Sequence, residues 1–236
     1  MADKQQIKNI VFDIGQVLLT FQPDKLLKEK FNLSDAEIKI IADKTFKSET
    51  WLEMDRGRLK KEDAADIFVE RLSQSSMLFQ SSKLPQTKKS AQSSRYFDLT
   101  KNIIETILDF DQILNPIDSN VKLLKFYKEH QDYNVYALSN FPPDYFMEAK
   151  DKYDFLSIFD NKVISGLVGL IKPEPEIYEL LLDRCEIDPA ETVFIDDSKV
   201  NIEGARNAGI NAILYENHRQ LLDDLSTLEV ELPDNL

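Results

Sequence analysis

The chain is poor in the residues that build disulfide frameworks and zinc sites. Among its 236 residues it has one cysteine, Cys185, and two histidines, His130 and His218. A disulfide needs two cysteines, so a reducing compartment is the simpler expectation. Zinc sites made of three histidines or of several cysteines are excluded as well. Any catalytic chemistry in this protein is therefore expected to depend on carboxylates.

Long apolar runs and positive charge are also scarce. The sequence has 42 Asp and Glu against 29 Lys and Arg, a net charge of −13. A field of this sign repels phosphate polymers and anionic lipids, which disfavours nucleic acid and membrane surfaces as partners. No run approaches the ~18 apolar residues of a membrane span, and the first residues lack the apolar stretch of a signal peptide. We therefore expect a soluble, cytoplasmic protein; the sequence leaves its oligomeric state open.

Five short apolar runs, each followed by polar or turn residues, predict the strands of a parallel sheet. They do not alternate with polar residues and are rich in β-branched side chains, as expected of strands covered on both faces. The runs are residues 10–12, 135–138, 163–164, 193–195 and 212–214. Helical patterns lie between the later runs, one entered through Pro175 and one ended by Gly209. Strands that alternate with helices indicate an α/β fold with a doubly wound parallel sheet.

The long segment between the first two predicted strands reads as a mostly helical insertion. Ser34 and Glu37 form a capping-box pattern at the start of one helix, and further helices are predicted over residues 62–72 and 103–110. We assign residues 1–18 and 113–236 to the α/β core and residues 19–112 to a helical insertion. Its predicted place is over the carboxyl edge of the sheet, where α/β proteins bind ligands.

One part of this insertion differs in composition from the rest. Residues 71–97 contain no acidic residue, five basic residues and many Ser and Gln. Low hydrophobicity of this kind predicts a flexible insertion, which we place at residues 73–97. A tolerated surface loop is favoured over a basic docking arm. Met77, Leu78 and Phe79 keep the second interpretation open.

Four polar motifs follow four of the predicted strands, where a doubly wound sheet concentrates its reactive groups. Three carboxylates that meet there repel each other and need a cation, and hard oxygen ligands favour Mg²⁺. A lysine and a hydroxyl–amide pair facing the metal would complete a cradle for a phosphoryl group. A carboxylate held in line can attack phosphorus and form an aspartyl-phosphate. The motif residues are Asp13 with Gly15, Ser139 with Asn140, Lys172, and Asp196 with Asp197.

The order and spacing of these motifs resemble the haloacid dehalogenase-like (HAD) hydrolase superfamily, in the branch with a helical cap inserted after the first motif. The similarity extends from about Ile7 to Tyr215, apart from residues 73–97. It implies a Rossmann-like core and a phosphatase that hydrolyses a small phosphorylated metabolite through an aspartyl-phosphate. The implied site consists of Asp13 as nucleophile, Ser139, Asn140 and Lys172 around the phosphate, Lys172 also as a catalytic residue, and Asp13, the Gly15 carbonyl, Asp196 and Asp197 around Mg²⁺.

A segment of the insertion is also similar to this family. Residues 51–59 resemble a cap segment that faces the active site in this branch. The resemblance makes Trp51, Glu53 and Arg56 candidates for substrate contact, although an amphipathic helix needs some such residues for packing in any case.

The first motif departs from the pattern of the family's phosphatases at Gly15. Those enzymes usually carry a second Asp at this position, which acts as general acid and then as general base, and such help is typically worth ~10²–10⁴-fold. The Asp-x-Gly-Gln-Val form resembles a subgroup that includes glucose-1-phosphate phosphatases. A sugar phosphate is therefore the expected substrate class, because sugar 1-phosphates carry a comparatively good leaving group.

Two alternatives to the phosphatase interpretation remain at this point. The first is a catalytically weak HAD-like domain that binds phosphate or a protein partner and lacks the general acid at Gly15. The second is a 2-haloacid dehalogenase, which is disfavoured because those enzymes need no metal and generally lack the paired acids found at Asp196 and Asp197.

Overall fold

The computed structural model describes residues 5–75 and 89–233. The chain divides into two compact units, Met1–Phe21 with Asn115–Leu236 and Gln22–Leu114. The strands are β1 (Asn9–Phe12), β2 (Leu19–Phe21), β3 (Leu114–Pro116), β4 (Asn134–Ser139), β5 (Asn161–Ile164), β6 (Thr192–Asp196) and β7 (Asn211–Leu214). The helices are α1 (Pro23–Phe31), α2 (Asp35–Lys44), α3 (Glu49–Asp55), α4 (Lys61–Ser73), α5 (Lys89–Ile107), α6 (Phe110–Ile113), α7 (Asp118–Glu129), α8 (Pro143–Lys152), α9 (Ser165–Val168), α10 (Pro175–Cys185), α11 (Lys199–Asn207) and α12 (His218–Thr227).

The first unit contains the five predicted strands in a parallel sheet. Its order is β5-β4-β1-β6-β7. The central strands are buried along nearly their whole length, which explains why their sequences are apolar without alternation. On one face, residues of α10 and α11 such as Ile177, Leu181 and Ile202 pack against strand residues that include Val11 and Phe194. The predicted α/β fold is confirmed.

The helix ends of the first unit follow the signals in the sequence. Pro175 is the first residue of α10, where a missing backbone N–H costs nothing. Gly209 lies just after α11 with a φ of 82°, a left-handed conformation that suits glycine at this position.

The second unit is built from helices α1–α6. The predicted capping box is present at α2, where Ser34 accepts a hydrogen bond from the Glu37 backbone N–H and Glu37 accepts one from the Ser34 backbone N–H. The helix predicted over residues 62–72 is α4. The helix predicted over residues 103–110 starts much earlier and ends sooner, since α5 runs over Lys89–Ile107 and a separate short helix, α6, begins at Phe110.

The early start of α5 corrects part of the predicted flexible insertion. Residues 89–97 are helical, and α4 extends to Ser73, so the prediction of a loop over residues 73–97 is wrong at both of its ends. Low hydrophobicity suggested a loop, but residues 89–97 contain neither Gly nor Pro and include good helix formers such as Ala91 and Arg95. A helix that is nucleated by the apolar residues further along can extend through such a sequence. Residues 76–88 of the predicted insertion lie outside the described residues.

No helix in the described part of the chain is both long enough and apolar enough to cross a bilayer.

Candidate active site

Three neighbouring strands of the first unit bring the residues of three motifs to one edge of the sheet. Asp13 follows β1, Ser139 is the last residue of β4, and Asp196 is the last residue of β6. In the sheet, β1 lies between β4 and β6, and all three strands are parallel. Their carboxyl ends therefore meet, as in other α/β proteins that bind ligands at this edge.

Lys172 lies between two of these acids. Its buried ammonium group is 3.0 Å from Asp13 Oδ1 and 2.6 Å from Asp196 Oδ2, and it donates a third hydrogen bond to the Leu138 carbonyl at 3.0 Å. An ammonium group has three donors, so each of them has an acceptor. Burial disfavours the charged form of Lys172, but Asp13 and Asp196 outweigh it and raise the pKa of Lys172 above its ordinary value. Lys172 is thus a permanent positive charge in the site.

The Asp13 carboxyl group is buried, with 7% of the residue exposed. This burial is the main reason why the pKa of Asp13 is raised to about 7; Lys172 acts in the opposite direction and Asp196 adds to the rise. Oδ1 of Asp13 accepts a hydrogen bond from the Ile14 backbone N–H at 2.7 Å and faces Lys172. A cation close to this carboxyl group would favour its ionised, nucleophilic form.

Asp196 is the most firmly held of the acids. It is fully buried and accepts hydrogen bonds from the Ser198 backbone N–H at 2.8 Å and from the Asn201 side-chain amide at 3.0 and 3.1 Å, in addition to the contact with Lys172. Several donors to one carboxylate fix its position and satisfy its charge. Asn201 was not singled out from the sequence; its place in the first turn of the helix after Asp196 is the signal that could have identified it.

The third acid, Asp197, is exposed, in contrast to Asp13 and Asp196. Partial desolvation and the negative charge of Asp196 raise the pKa of Asp197. One carboxylate oxygen from each of the three acids lies within 4.8 Å of the other two. Three hard oxygen donors this close together suit a divalent cation such as Mg²⁺.

Ser139 and Asn140 have different surroundings. Ser139 is buried, and its hydroxyl group lies beside the Asp13 carboxyl group without a hydrogen bond of good geometry to any described residue. A buried hydroxyl group in this position is available to a ligand. The side-chain amide of Asn140 instead donates to the Lys172 carbonyl at 3.0 Å and accepts from the Lys172 backbone N–H at 2.9 Å. Asn140 therefore anchors the backbone of Lys172, and its predicted phosphate contact stays a prediction.

Comparison with known proteins identifies the family. The family model described as haloacid dehalogenase-like hydrolase matches residues 7–209 of the chain. The chain belongs to this family.

Full-length relatives of this HAD-like hydrolase include two phosphatases. D-ribitol-5-phosphate phosphatase from Bacteroides thetaiotaomicron is 27% identical over 233 residues, which cover 94% of this chain and 98% of the relative. Sesquiterpene phosphatase astK from Aspergillus oryzae is 26% identical over 220 residues, which cover 93% of this chain and 92% of the relative. A solved structure of a HAD family enzyme from Bacteroides thetaiotaomicron in complex with magnesium and inorganic phosphate has a TM-score of 0.59 at 22% identity, covers 89% of this chain and 94% of that chain, and shows a shared fold.

The HAD-like hydrolase has space for a side chain at Gly15. A Cβ atom added at this position would meet no atom of the described residues within 4 Å. The φ of Gly15 is not in the left-handed region either, so nothing in the local backbone demands glycine. Steric crowding therefore does not explain why this position carries glycine and no acid.

The cap candidates lie in the second unit. Trp51 is buried there, with its ring centroid 6.1–6.2 Å from those of Phe46, Phe68 and Phe110. This position makes Trp51 a core residue of the second unit. In the same unit, Glu53 lies 3.6 Å from Arg56 and 3.6 Å from Arg58. Substrate contacts by Glu53 and Arg56 stay predictions.

Proposed function

We propose that this HAD-like hydrolase is a Mg²⁺-dependent phosphatase that acts on a small phosphorylated metabolite through an aspartyl-phosphate on Asp13. The observation that carries the proposal is the cluster of three carboxylates, two of which contact Lys172, with the buried hydroxyl of Ser139 beside Asp13. The two full-length relatives are named as a sesquiterpene phosphatase and a D-ribitol-5-phosphate phosphatase, and these names support the same class of reaction.

The donor set fits a magnesium ion. Asp13, Asp197 and the Gly15 carbonyl would hold it, with Asp196 in support because its oxygens already accept bonds from Lys172, Ser198 and Asn201. When bound, the ion would offset the charge of the carboxylates and of the phosphoryl oxygens, which allows two anions to approach each other.

The residues of the chain then have distinct tasks. Lys172 and the Ile14 N–H both contact Oδ1 of Asp13, so Oδ2 is the oxygen to which we assign the attack on phosphorus. The new Oδ2–P bond forms as the bond from phosphorus to the alcohol oxygen of the substrate breaks. The Ser139 hydroxyl would donate to an oxygen of the transferring phosphoryl group. A water molecule then attacks phosphorus, the Oδ2–P bond breaks, and inorganic phosphate leaves while Asp13 returns to its free form.

Gly15 limits which substrates this reaction can use. With no carboxyl group at this position, the departing alcohol oxygen must take its proton from water, which favours substrates with a good leaving group. A sugar 1-phosphate meets this requirement better than a simple alkyl phosphate. The same observation is the reason for a second candidate function, a catalytically weak domain that binds a phosphate ligand or a protein partner.

The deciding experiment measures phosphate release from p-nitrophenyl phosphate with Mg²⁺ and with chelator. We expect turnover that requires Mg²⁺ in the wild type and is abolished in Asp13→Asn, because the amide is not a nucleophile. Unchanged turnover in Asp13→Asn would exclude the proposed mechanism.

Gly15→Asp, measured in the same assay on an alkyl phosphate, separates the two candidate functions. A Cβ atom at Gly15 meets no described atom within 4 Å, and a general acid there should raise the rate on a poor leaving group by about 10²-fold or more. Gly15→Asn is the matched control, since it has the same shape and cannot supply the proton. Equal rates for the two variants would favour a binding domain.

A further inference from the structure

The loop that follows Asp13 is tied to two helices of the first unit. The loop covers residues 14–19 and is closed on itself, because the backbone N–H groups of Leu18 and Leu19 both donate to the Ile14 carbonyl, at 2.9 and 2.8 Å. The Gln16 N–H donates to the Leu19 carbonyl at 2.6 Å. Gly15, whose carbonyl belongs to the proposed metal site, lies inside this loop.

Two adjacent carbonyl groups of the loop accept hydrogen bonds from the start of α7. The Ile117 N–H donates to the Leu18 carbonyl at 2.8 Å. The side-chain amide of Asn120 donates to the Val17 carbonyl at 2.6 Å. Asn120 is fully buried, so this bond is shielded from water and costly to lose.

Asn120 is in turn held by His218, the first residue of α12. Nδ1 of His218 lies 2.7 Å from Oδ1 of Asn120. Because the amide nitrogen of Asn120 is directed to Val17, its oxygen faces His218, and Nδ1 must carry the proton as donor. The chain of donors therefore runs from His218 through Asn120 to the loop, over three segments that are far apart in the sequence.

The surroundings of the second ring nitrogen, Nε2, favour the same tautomer of His218. Nε2 of His218 is buried and has no hydrogen-bond partner among the described residues. A proton at Nε2 would place an unpaired charge there, and burial correspondingly lowers the pKa of His218. The environments of both ring nitrogens therefore favour the neutral tautomer with its proton on Nδ1.

We propose that His218 and Asn120 are positioning residues that hold the loop of residues 14–19 and thereby direct the Gly15 carbonyl toward the metal. Neither residue touches the reacting groups. The part of the inference that concerns the metal rests on the proposed function, whereas the part that concerns the loop does not.

Hydrogen–deuterium exchange on the metal-free protein tests the loop directly. In His218→Ala and in Asn120→Asp, whose carboxylate cannot donate to the Val17 carbonyl, amide exchange in residues 14–19 should rise about tenfold or more. His218→Asn should restore most of the protection, because an asparagine amide places its N–H where Nδ1–H was. His130→Ala is the control for loss of a histidine elsewhere. Unchanged exchange in both His218→Ala and Asn120→Asp would overturn the proposal.

Mg²⁺ binding, measured by calorimetry without substrate, tests the consequence for the metal. We expect the dissociation constant to rise on the order of tenfold in His218→Ala and Asn120→Asp, and to return toward the wild-type value in His218→Asn. Equal affinities in the wild type and all three variants would overturn the link to the metal. A wild type that binds no Mg²⁺ would contradict the proposed function and this link together, while the exchange result would still decide whether His218 and Asn120 hold the loop.

Discussion

At the scale of single residues, Lys172 determines the electrostatics of the site. Its ammonium group gives one hydrogen bond each to Asp13, Asp196 and the Leu138 carbonyl, and all of these groups are buried. Two buried acids without a cation between them would be costly, because the charges would be desolvated and would repel each other. The lysine therefore stabilises the two buried acids as well as serving the proposed chemistry.

Lys172→Met should destabilise the protein by about 3–5 kcal/mol at pH 7, as expected when a buried charge network loses one partner. A carboxyl group whose pKa is higher in the folded state than in the unfolded state lowers the free energy of unfolding as pH rises from the unfolded-state pKa to the folded-state pKa. For Asp13 these two pKa values are 3.8 and about 7. Removal of Lys172 removes the influence that lowers the pKa of Asp13. The loss in free energy of unfolding caused by Lys172→Met should therefore become smaller as pH falls toward 4.

Denaturant unfolding at pH 4 to 8 measures this effect. Lys8→Met is the control, since Lys8 forms a half-exposed ion pair with Glu191 at 2.7 Å, and such pairs contribute about 1 kcal/mol or less. The double variant Lys172→Met with Asp196→Asn should be less destabilised at pH 7 than Lys172→Met alone. A loss in free energy of unfolding in Lys172→Met that does not change with pH would contradict the expectation.

At the scale of secondary-structure elements, the short helix α9 holds the segment that follows Ser139. The Ser165 hydroxyl accepts a hydrogen bond from the Phe141 backbone N–H at 2.9 Å, and the Gly166 N–H donates to the Phe141 carbonyl at 3.2 Å. This approach is possible because Gly166 has no side chain. A Cβ atom there would lie 2.5 Å from Cδ of Pro143 and 2.7 Å from the Phe141 carbonyl oxygen.

Gly166→Ala should therefore push α9 away from residues 141–143. We expect a loss of about 1–3 kcal/mol in the free energy of unfolding, as for other overpacked sites, and a higher KM for the phosphate ester because the Ser139 hydroxyl shifts. Urea unfolding and steady-state kinetics measure the two effects. Leu167→Ala is the control from the same helix, since Leu167 is 56% exposed and its truncation should change stability by about 0.5 kcal/mol or less. Identical behaviour of the two variants would refute the steric explanation.

At the scale of the whole molecule, the chain leaves the first unit and returns to it at neighbouring points. β2 and β3 pair with each other, and the Thr20 hydroxyl donates to the Asn115 carbonyl at 3.3 Å. Paired strands lie about 4.8 Å apart, so a few residues suffice to connect Phe21 with Asn115. The first unit also has its own buried core between the sheet and its helices.

Replacement of residues 22–114 by a Gly/Ser linker of about four residues should therefore yield a protein that unfolds cooperatively. The slope of unfolding free energy against urea should be smaller than for the intact chain, because less surface is exposed. Circular dichroism during thermal and urea unfolding, with the intact chain measured in parallel, tests this expectation. A gradual transition without cooperativity would show that the first unit needs the second in order to fold.

The sequence by itself determined the five core strands, the capping box of α2 and the Gly209 helix end, and it predicted the polar groups of the candidate site. These features depend on local chemistry: a strand buried on both faces must be apolar, and a helix end needs particular residues at particular positions. The start of α5 at Lys89 could not be predicted, because local composition there agrees with both a loop and a helix.

Only the tertiary structure decided which distant groups meet. The side-chain amide of Asn140 anchors the backbone of Lys172, and His218 reaches the loop after Asp13 through Asn120. The strand order of the sheet and the packing of helices against it set these contacts, and neither is encoded in the spacing of residues along the chain. The sequence alone thus predicted which polar groups belong to the candidate site, and the fold decided which of them meet and what holds each of them in place.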